Sequence, residues 1–372
     1  MADRAPISIA FLLPHLKAGG IEAVCVNLAN QIDRDRFRPS FLLKRRQGPL
    51  LERLRADIAV ADLSGRRSAL LPFELAAMIR QRKPDILYSG TNAMNLAALA
   101  ALSLVPTRER PIAIISEHTT AATYLAGAKW PWLRRRLAGA LYPAGDLFVA
   151  PTPEILAGWA DELSLTPLQT AVCPNPVIPA GSVSKGGDRA PCRVVAAGRL
   201  VPDKGFDDLI EAFSSVSQSA PDAELWIFGE GPERAALAAL IGQLGLGGQV
   251  HLKGYTADLL GQLGRATLVV SPSRREGFGN VIVEALATAA PVLATACEGP
   301  RHILEEGAIG QLVPAEDREA LGAAMIALLS DPVKRQAIAV GGAKRAGDFT
   351  IEAATGEFEA ILQMLLSQRE RL

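Results

Sequence analysis

From one end of the chain to the other, short runs rich in β-branched and other apolar residues alternate with longer stretches whose apolar residues recur at helical spacing. The candidate strands of the first half are residues 7–13, 39–43, 86–89, 112–116 and 147–150. Those of the second are 193–197, 224–228, 250–253, 268–271 and 291–295. Most are nearly continuous in apolar residues, as a strand reads when both of its faces are covered. Helical patterns such as 22–32, 206–217 and 281–288 fill the gaps. This alternation calls for parallel sheets joined by crossover helices, an α/β fold.

A chain of 372 residues is too long for one core, which makes two domains the expectation. The segment Pro174-Asn175-Pro176-Val177-Ile178-Pro179 leads into a Gly-rich stretch over 180–187, read as the linker. The expected division is 1–178, 179–350 and a final amphipathic segment, 351–372, that packs back across the linker. Each half opens with a strand, a glycine-containing loop and a helix. The loops are Gly19-Gly20-Ile21-Glu22 in the first half and Gly198-Arg199 followed by Lys204-Gly205 in the second. Two doubly wound, Rossmann-like domains with such loops would face a central cleft and bind ligands there, at the carboxyl ends of their strands.

Composition removes several classes. Apolar residues make up 49% and charged residues 21%, the balance of a globular protein and not of a disordered one. The longest nearly continuous apolar stretch, 96–105, is about half of what a membrane-spanning helix needs. The first residues lack the basic flank and apolar core of a signal peptide, so a cytoplasmic location is expected. Cysteines at 25, 173, 192 and 297 are scattered without zinc-site or disulfide spacing, and read as small buried residues.

Net charge is zero, yet residues 1–150 hold 21 Lys plus Arg against 12 Asp plus Glu. This basic half suits an anionic partner such as a phospholipid surface, or is an uneven scatter of solvated charge. Lys129-Trp130-Pro131-Trp132-Leu133-Arg134-Arg135-Arg136-Leu137 mixes aromatics with cations, as segments at a membrane interface do. It reads either as a peripheral contact with the inner face of a membrane or as a helix whose tryptophans pack inward. No nucleic-acid partner is expected.

The most specific stretch is Ser271-Pro272-Ser273-Arg274-Arg275-Glu276-Gly277-Phe278-Gly279-Asn280-Val281-Ile282-Val283-Glu284. A strand ends at Ser271, the chain turns at the glycines and a helix starts near Asn280. Glu276 then lies in the loop and Glu284 in the second helical turn. A helix start after a glycine loop offers free N–H groups for phosphate. A carboxylate beside it suits ribose hydroxyls in the case of Glu284, and sugar hydroxyls in the case of Glu276. Arg199 and Lys204 supply cations for a departing diphosphate, the work a metal does elsewhere. Taken singly, each of these residues reads more readily as solvated surface charge, and only the whole constellation reverses that reading.

Together these motifs, with Gly229-Glu230-Gly231-Pro232, resemble the retaining glycosyltransferases of family 4, which have the GT-B fold. The resemblance runs from about Ile7 to beyond Leu329. It implies transfer of a hexose or N-acetylhexosamine from a UDP- or GDP-type sugar nucleotide, with no metal and no other cofactor. The acceptor would be a glycan or lipid-linked glycan in bacterial polysaccharide assembly. The first domain would serve the acceptor and the second the sugar nucleotide. By the resemblance Gly19 and Gly20 let the backbone approach the donor, Arg199 and Lys204 bind the diphosphate, Glu276 the sugar and Glu284 the ribose. Backbone groups of Phe278, Gly279 and Asn280 would contact the sugar and phosphates, and Gly254 and Tyr255 belong to a base-contacting turn. His118, in Ser116-Glu117-His118-Thr119, would lie near the donor sugar as a positioning or charge-stabilising residue. Retention implies front-face attack with the leaving phosphate accepting the acceptor's proton. Ala289-Ala290-Pro291 lacks the glycine usual there, and His302 stands where many members carry glutamate.

A nicotinamide oxidoreductase would show a completed Gly-x-Gly-x-x-Gly, which Gly229-Glu230-Gly231-Pro232 begins and does not finish. A metal-dependent transferase would place Asp-x-Asp after a strand, whereas Asp33-Arg34-Asp35 follows the first helix and reads as a solvated turn. An epimerase or phosphorylase of the same fold, or an inactive sugar-nucleotide or glycan binding protein, are the remaining alternatives.

Overall fold

The computed structural model describes residues 5–369, apart from 18, 64–69, 122–123, 125–129, 164, 167–168, 180 and 184–188. The Gly-rich linker reading over 180–187 and Lys129 of the aromatic-basic segment thus lie partly or wholly outside the described residues. Contacts divide the chain into two compact units, Met1–Pro176 with Ile351–Leu372, and Val177–Thr350.

The first unit carries β1 (Ile7–Leu13), β2 (Phe37–Leu43), β3 (Ala59–Asp62), β4 (Ile86–Ser89), β5 (Ile112–Ser116), β6 (Leu147–Ala150) and β7 (Thr170–Val172). The second carries β8 (Arg193–Ala197), β9 (Glu224–Phe228), β10 (Val250–Gly254), β11 (Leu268–Ser271), β12 (Val292–Thr295) and β13 (Gln311–Val313). Each set forms one sheet, in the orders β3-β2-β1-β4-β5-β6-β7 and β10-β9-β8-β11-β12-β13. Every ladder is parallel. The winding direction reverses between β1 and β4 and again between β8 and β11, which opens a crevice at the carboxyl end of each sheet. Both units are the doubly wound, Rossmann-like α/β structures that the alternation of strands and helices calls for.

Three strands escape the apolar-run reading: β3, β7 and β13. All three are edge strands and only partly buried. An edge strand meets solvent along one side, so it lacks the unbroken apolar run of a central strand.

In the first unit Phe11 on β1 stacks on Phe41 at 5.4 Å, and Tyr88 on β4 meets Phe358 edge-on at 5.6 Å. Phe358 comes from the last helix, Ile351–Arg369, whose buried face also carries Leu362 and Leu365. Burying a phenylalanine is worth about 2–3 kcal/mol, so the final helix is part of the first unit's core. In the second unit, helices Phe206–Ser219 and Arg318–Ser330 cover one face of the sheet through Leu209, Phe213, Leu321 and Met325. Helix Asn280–Ala287 and the Phe278–Phe349 pair cover the other face.

The cysteines are free. Cys25, Cys173 and Cys297 are buried, whereas Cys192 is half-buried. Asp33-Arg34-Asp35 forms a turn in which the Asp35 N–H donates to Asp33 and Arg34 pairs with Asp57 at 2.8 Å.

Candidate active site

At the carboxyl ends of β8, β9 and β10 three turns are joined backbone to backbone. Gly198 N–H donates to the Phe228 carbonyl at 3.0 Å, Leu200 N–H to Glu230 at 3.0 Å and Gly229 N–H to Gly254 at 2.8 Å. The approach is too close for a side chain. A Cβ on Gly229, whose φ is +134°, would lie 1.8 Å from the Gly198 oxygen. One on Gly231 would lie 2.2 Å from the Leu200 oxygen. The glycines of Gly229-Glu230-Gly231-Pro232 therefore hold neighbouring turns in contact. The same zipper places Gly254 and the exposed Tyr255 at the end of β10.

The loops after β8 and β11 are stitched just as tightly. Gly205 adopts φ +62°, and a Cβ there would come within 2.2 Å of the Pro272 oxygen. Arg274 and Arg275 N–H groups donate to the Asp203 carbonyl at 2.9 and 3.3 Å. Their guanidiniums reach back across the same junction, Arg275 to Asp203 at 2.6 Å and Arg274 to Asp207 at 2.7 Å and Asp208 at 2.5 Å. Arg318 completes the cluster by pairing with the buried Asp208 at 2.7 Å. Only Asp208 among them is buried, and the half-exposed pairs around it act on loop geometry more than on net stability.

This frame joins Lys204 and Glu276, far apart in the chain, in a direct ion pair. Arg199, on the same turn as Lys204, is exposed, with no ion-pair partner among the described residues. Phe278 buries its ring against Phe349, so only its backbone is left for a ligand. Gly279, at φ +106°, opens the helix Asn280–Ala287. In its second turn Glu284 is half-buried among apolar neighbours, and desolvation pushes its carboxyl from the ordinary 4.5 up to about 7. No hydrogen bond or ion pair reaches that carboxyl among the described residues, which is costly for an acceptor unless something else supplies donors.

In the first unit Gly19 caps the helix Gly20–Gln31. A Cβ at Gly19 would lie 2.1 Å from the Glu22 carboxylate, whereas one at Gly20 would meet nothing within 4 Å. Glu22 is buried and pairs with His15 at 3.3 Å. A side chain at Gly19 would therefore have to displace the buried Glu22 carboxylate, while no contact among the described residues of the unit opposes one at Gly20.

His118 follows β5, its Nε2 2.8 Å from the Ser116 hydroxyl. Burial pushes the imidazole down to about 4, against an opposing hydrogen bond from the ring to the Asn175 side chain. That burial favours the uncharged, hydrogen-bonding form of the ring at neutral pH.

Sequence reasoning passed over the residue beside it. Glu117 is buried, and its Oε1 accepts hydrogen bonds from Tyr142 at 2.5 Å, Asn95 at 3.0 Å and Asn92 at 3.1 Å. The available signal was two asparagines three apart in the otherwise apolar helix Asn92–Ser103, one helical face with polar groups to satisfy. Among the described residues no three His, Cys, Asp or Glu side chains cluster as a metal site would need.

The proposed site residues thus fall into two sets. Arg199, Lys204, Gly254, Tyr255, Glu276, Phe278, Gly279, Asn280 and Glu284 lie at the carboxyl end of the second unit's sheet, and Gly19, Gly20 and His118 at that of the first.

Residues 18–180 match the family model described as Glycosyltransferase Family 4, and residues 187–345 the one described as Glycosyl transferases group 1. The lipopolysaccharide core biosynthesis glycosyltransferase LpsE of Rhizobium meliloti is 28% identical over 369 residues, covering 95% of this chain and 97% of that protein. The phosphatidyl-myo-inositol mannosyltransferase of Mycobacterium leprae is 34% identical over 159 residues, 41% of each chain. A crystal structure of Anabaena HepE in complex with UDP and glucose matches with a TM-score of 0.80 at 22% identity, over 96% of this chain and all of that one, a likeness of fold. Two matched halves, a full-length relative and a GT-B architecture lead to one assignment: the chain is a glycosyltransferase and belongs to the family 4 type.

Proposed function

We propose that the protein is a retaining, metal-independent glycosyltransferase. It would move a hexose or N-acetylhexosamine from a UDP- or GDP-type sugar onto a glycan or lipid-linked glycan in bacterial polysaccharide assembly. The observation that carries this reading is the set of two cations and two carboxylates at the second unit's crevice, with Arg199 outside any ion pair and Glu284 half-buried without a hydrogen-bond donor among the described residues. HepE, of the same fold, was crystallised with UDP and glucose, and LpsE serves in lipopolysaccharide core biosynthesis.

Each group has a task that follows from its surroundings. A sugar nucleotide brings two phosphates, and negative charge grows on the bridging oxygen as the glycosidic bond breaks. Arg199 and Lys204 neutralise it from one turn beside the crevice. Lys204 pairs with Glu276. The donor divides that pair, drawing the ammonium to phosphate and leaving the carboxylate to accept from sugar hydroxyls. Glu284 gains in vicinal ribose hydroxyls the donors it lacks. Retention follows if the departing phosphate accepts the acceptor's proton on the same face. A neutral His118 then holds a sugar hydroxyl and does not act as base.

The acceptor side is proposed from the surface. Trp130 and Trp132 are 57% and 67% exposed and Leu137 is also exposed, beside Arg134, Arg135 and Arg136. The tryptophans do not pack inward, and an aromatic-cationic surface suits the headgroup layer of an anionic membrane. Among the described residues no helix is long and apolar enough to cross a membrane, so the association proposed is peripheral, on the cytoplasmic face. Flotation with anionic vesicles should capture the protein at low salt and release it as salt rises. Failure to float even at low salt would point to a soluble acceptor.

The donor site is tested by calorimetry with UDP, GDP, ADP and their sugars in the presence of EDTA, on wild type, Lys204→Ala and Glu284→Ala. One diphosphate should bind without metal, and each variant should weaken it at least about tenfold, the loss of one charge-assisted contact. Binding indifferent to both residues, or none at all, refutes the assignment and favours an inactive relative of the fold.

A further inference from the structure

His118 sits in a short stretch whose backbone is fixed from several directions. Ahead of it, the Ser116 carbonyl accepts from Asn95 Nδ2 at 3.0 Å. Behind it, the Thr119 carbonyl accepts from Trp159 Nε1 at 2.8 Å, and the Trp159 ring stacks on Tyr142 at 5.8 Å. Between these, Glu117 turns inward and gathers Tyr142, Asn95 and Asn92 on one carboxyl oxygen. The network continues outward, since Tyr124 donates to Asn92 Oδ1 and accepts from Arg134 at 2.8 Å.

A buried carboxyl surrounded by neutral donors is an expensive way to hold a loop. Among the described residues no cation pairs with Glu117, and burial raises its carboxyl to about 7 even against three hydrogen bonds. Apolar packing of similar volume would anchor the backbone at lower cost. What a hydrogen-bond hub supplies instead is direction, because each bond fixes an angle as well as a distance.

We propose that Glu117 is a positioning residue for glycosyl transfer: by tying Tyr142, Asn92 and Asn95 to one oxygen it sets the backbone on which His118 is mounted, and so the direction in which the imidazole meets the sugar. The proposal rests on the reading of His118 as a group that holds the donor sugar. A shift of about 1 Å in such a group can cost on the order of a hundredfold in rate, and the loss falls on turnover because the diphosphate and nucleoside contacts lie in the other unit.

The test is a double-mutant cycle on donor turnover, read as nucleotide release from a panel of UDP-glucose, UDP-galactose, UDP-N-acetylglucosamine and GDP-mannose. Glu117→Ala should lower kcat about tenfold or more with donor KM within about twofold of wild type. Glu117→Gln, which keeps the accepting oxygen, should recover most of that loss. In a His118→Ala background, Glu117→Ala should cost less than about a further twofold, since its action runs through the missing ring. If Glu117→Ala does not fold, Tyr142→Phe replaces it in the cycle, with a smaller kcat loss that again vanishes without His118. Wild-type kcat in Glu117→Ala, a rise in KM alone, or an undiminished loss in the His118→Ala background overturns the proposal. A His118→Ala protein with wild-type kcat, or a wild-type protein that turns over none of the panel, overturns the reading of His118 and this proposal with it.

Discussion

Glu284 shows how its surroundings can set a single side chain against the fold. Its carboxyl titrates near 7 in the folded chain instead of 4.5, so the folded form keeps a proton that the unfolded form has released between those values. The group's contribution to stability is therefore lost as pH rises from 4.5 to about 7, a penalty on the order of 2–3 kcal/mol that is complete above 7. Glu284→Gln should melt higher than wild type at pH 8 and at the same temperature at pH 4.5, while binding nucleotide diphosphate more weakly. Equal melting temperatures at pH 8 would contradict the burial argument. The two glycines before the first helix make a second contrast. Gly20→Ala should leave the melting temperature unchanged or slightly raised, since alanine favours the helix and meets nothing, yet weaken donor binding about tenfold or more. Gly19→Ala should unfold more readily, because its methyl displaces the Glu22 carboxylate.

At the scale of elements, the loops at the carboxyl ends of β8 to β11 behave as one body. Gly229→Ala combines an unfavourable φ with a clash against Gly198, and should cost about 2–3 kcal/mol or more in denaturant unfolding. Asp208→Ala leaves Arg274 and Arg318 without their buried partner. It should cost about 1–3 kcal/mol and weaken nucleotide binding without touching the ligand. A variant that lost stability and kept wild-type affinity would show that the cluster supports the unit and not the loops. Central strands such as β8 and β11 could be read from the sequence because burial on both faces writes an apolar run. The edge strands β3, β7 and β13 could not, since solvent on one side erases it. The same asymmetry governs the site. Lys204, Glu276 and Glu284 stood out through their spacing around glycines, whereas Glu117 looked like an ordinary loop carboxylate. Its partners come from one helix and a distant turn, and only packing brings them together.

For the whole molecule, the order of the chain and the order of its cores differ. Phe358, Leu362 and Leu365 complete a core whose other members lie before residue 177. A chain ending at Thr350 should therefore keep the second unit's melting transition and lose the first unit's, as seen in calorimetry with two resolved peaks. Two unchanged transitions would show that the last helix contributes nothing essential.

The placement of that helix also bears on synthesis. Most of the first unit is made before Val177–Thr350, but the segment that seals it is made only after all of that stretch. At ordinary elongation rates that interval is about ten seconds or more. Throughout it the faces of Phe11 and Tyr88 that Phe358 will cover are open to water. A half-made chain is then most prone to associate with its neighbours just when its first sheet has formed, and expression at lower temperature or with a holding chaperone should raise the soluble yield of the full chain.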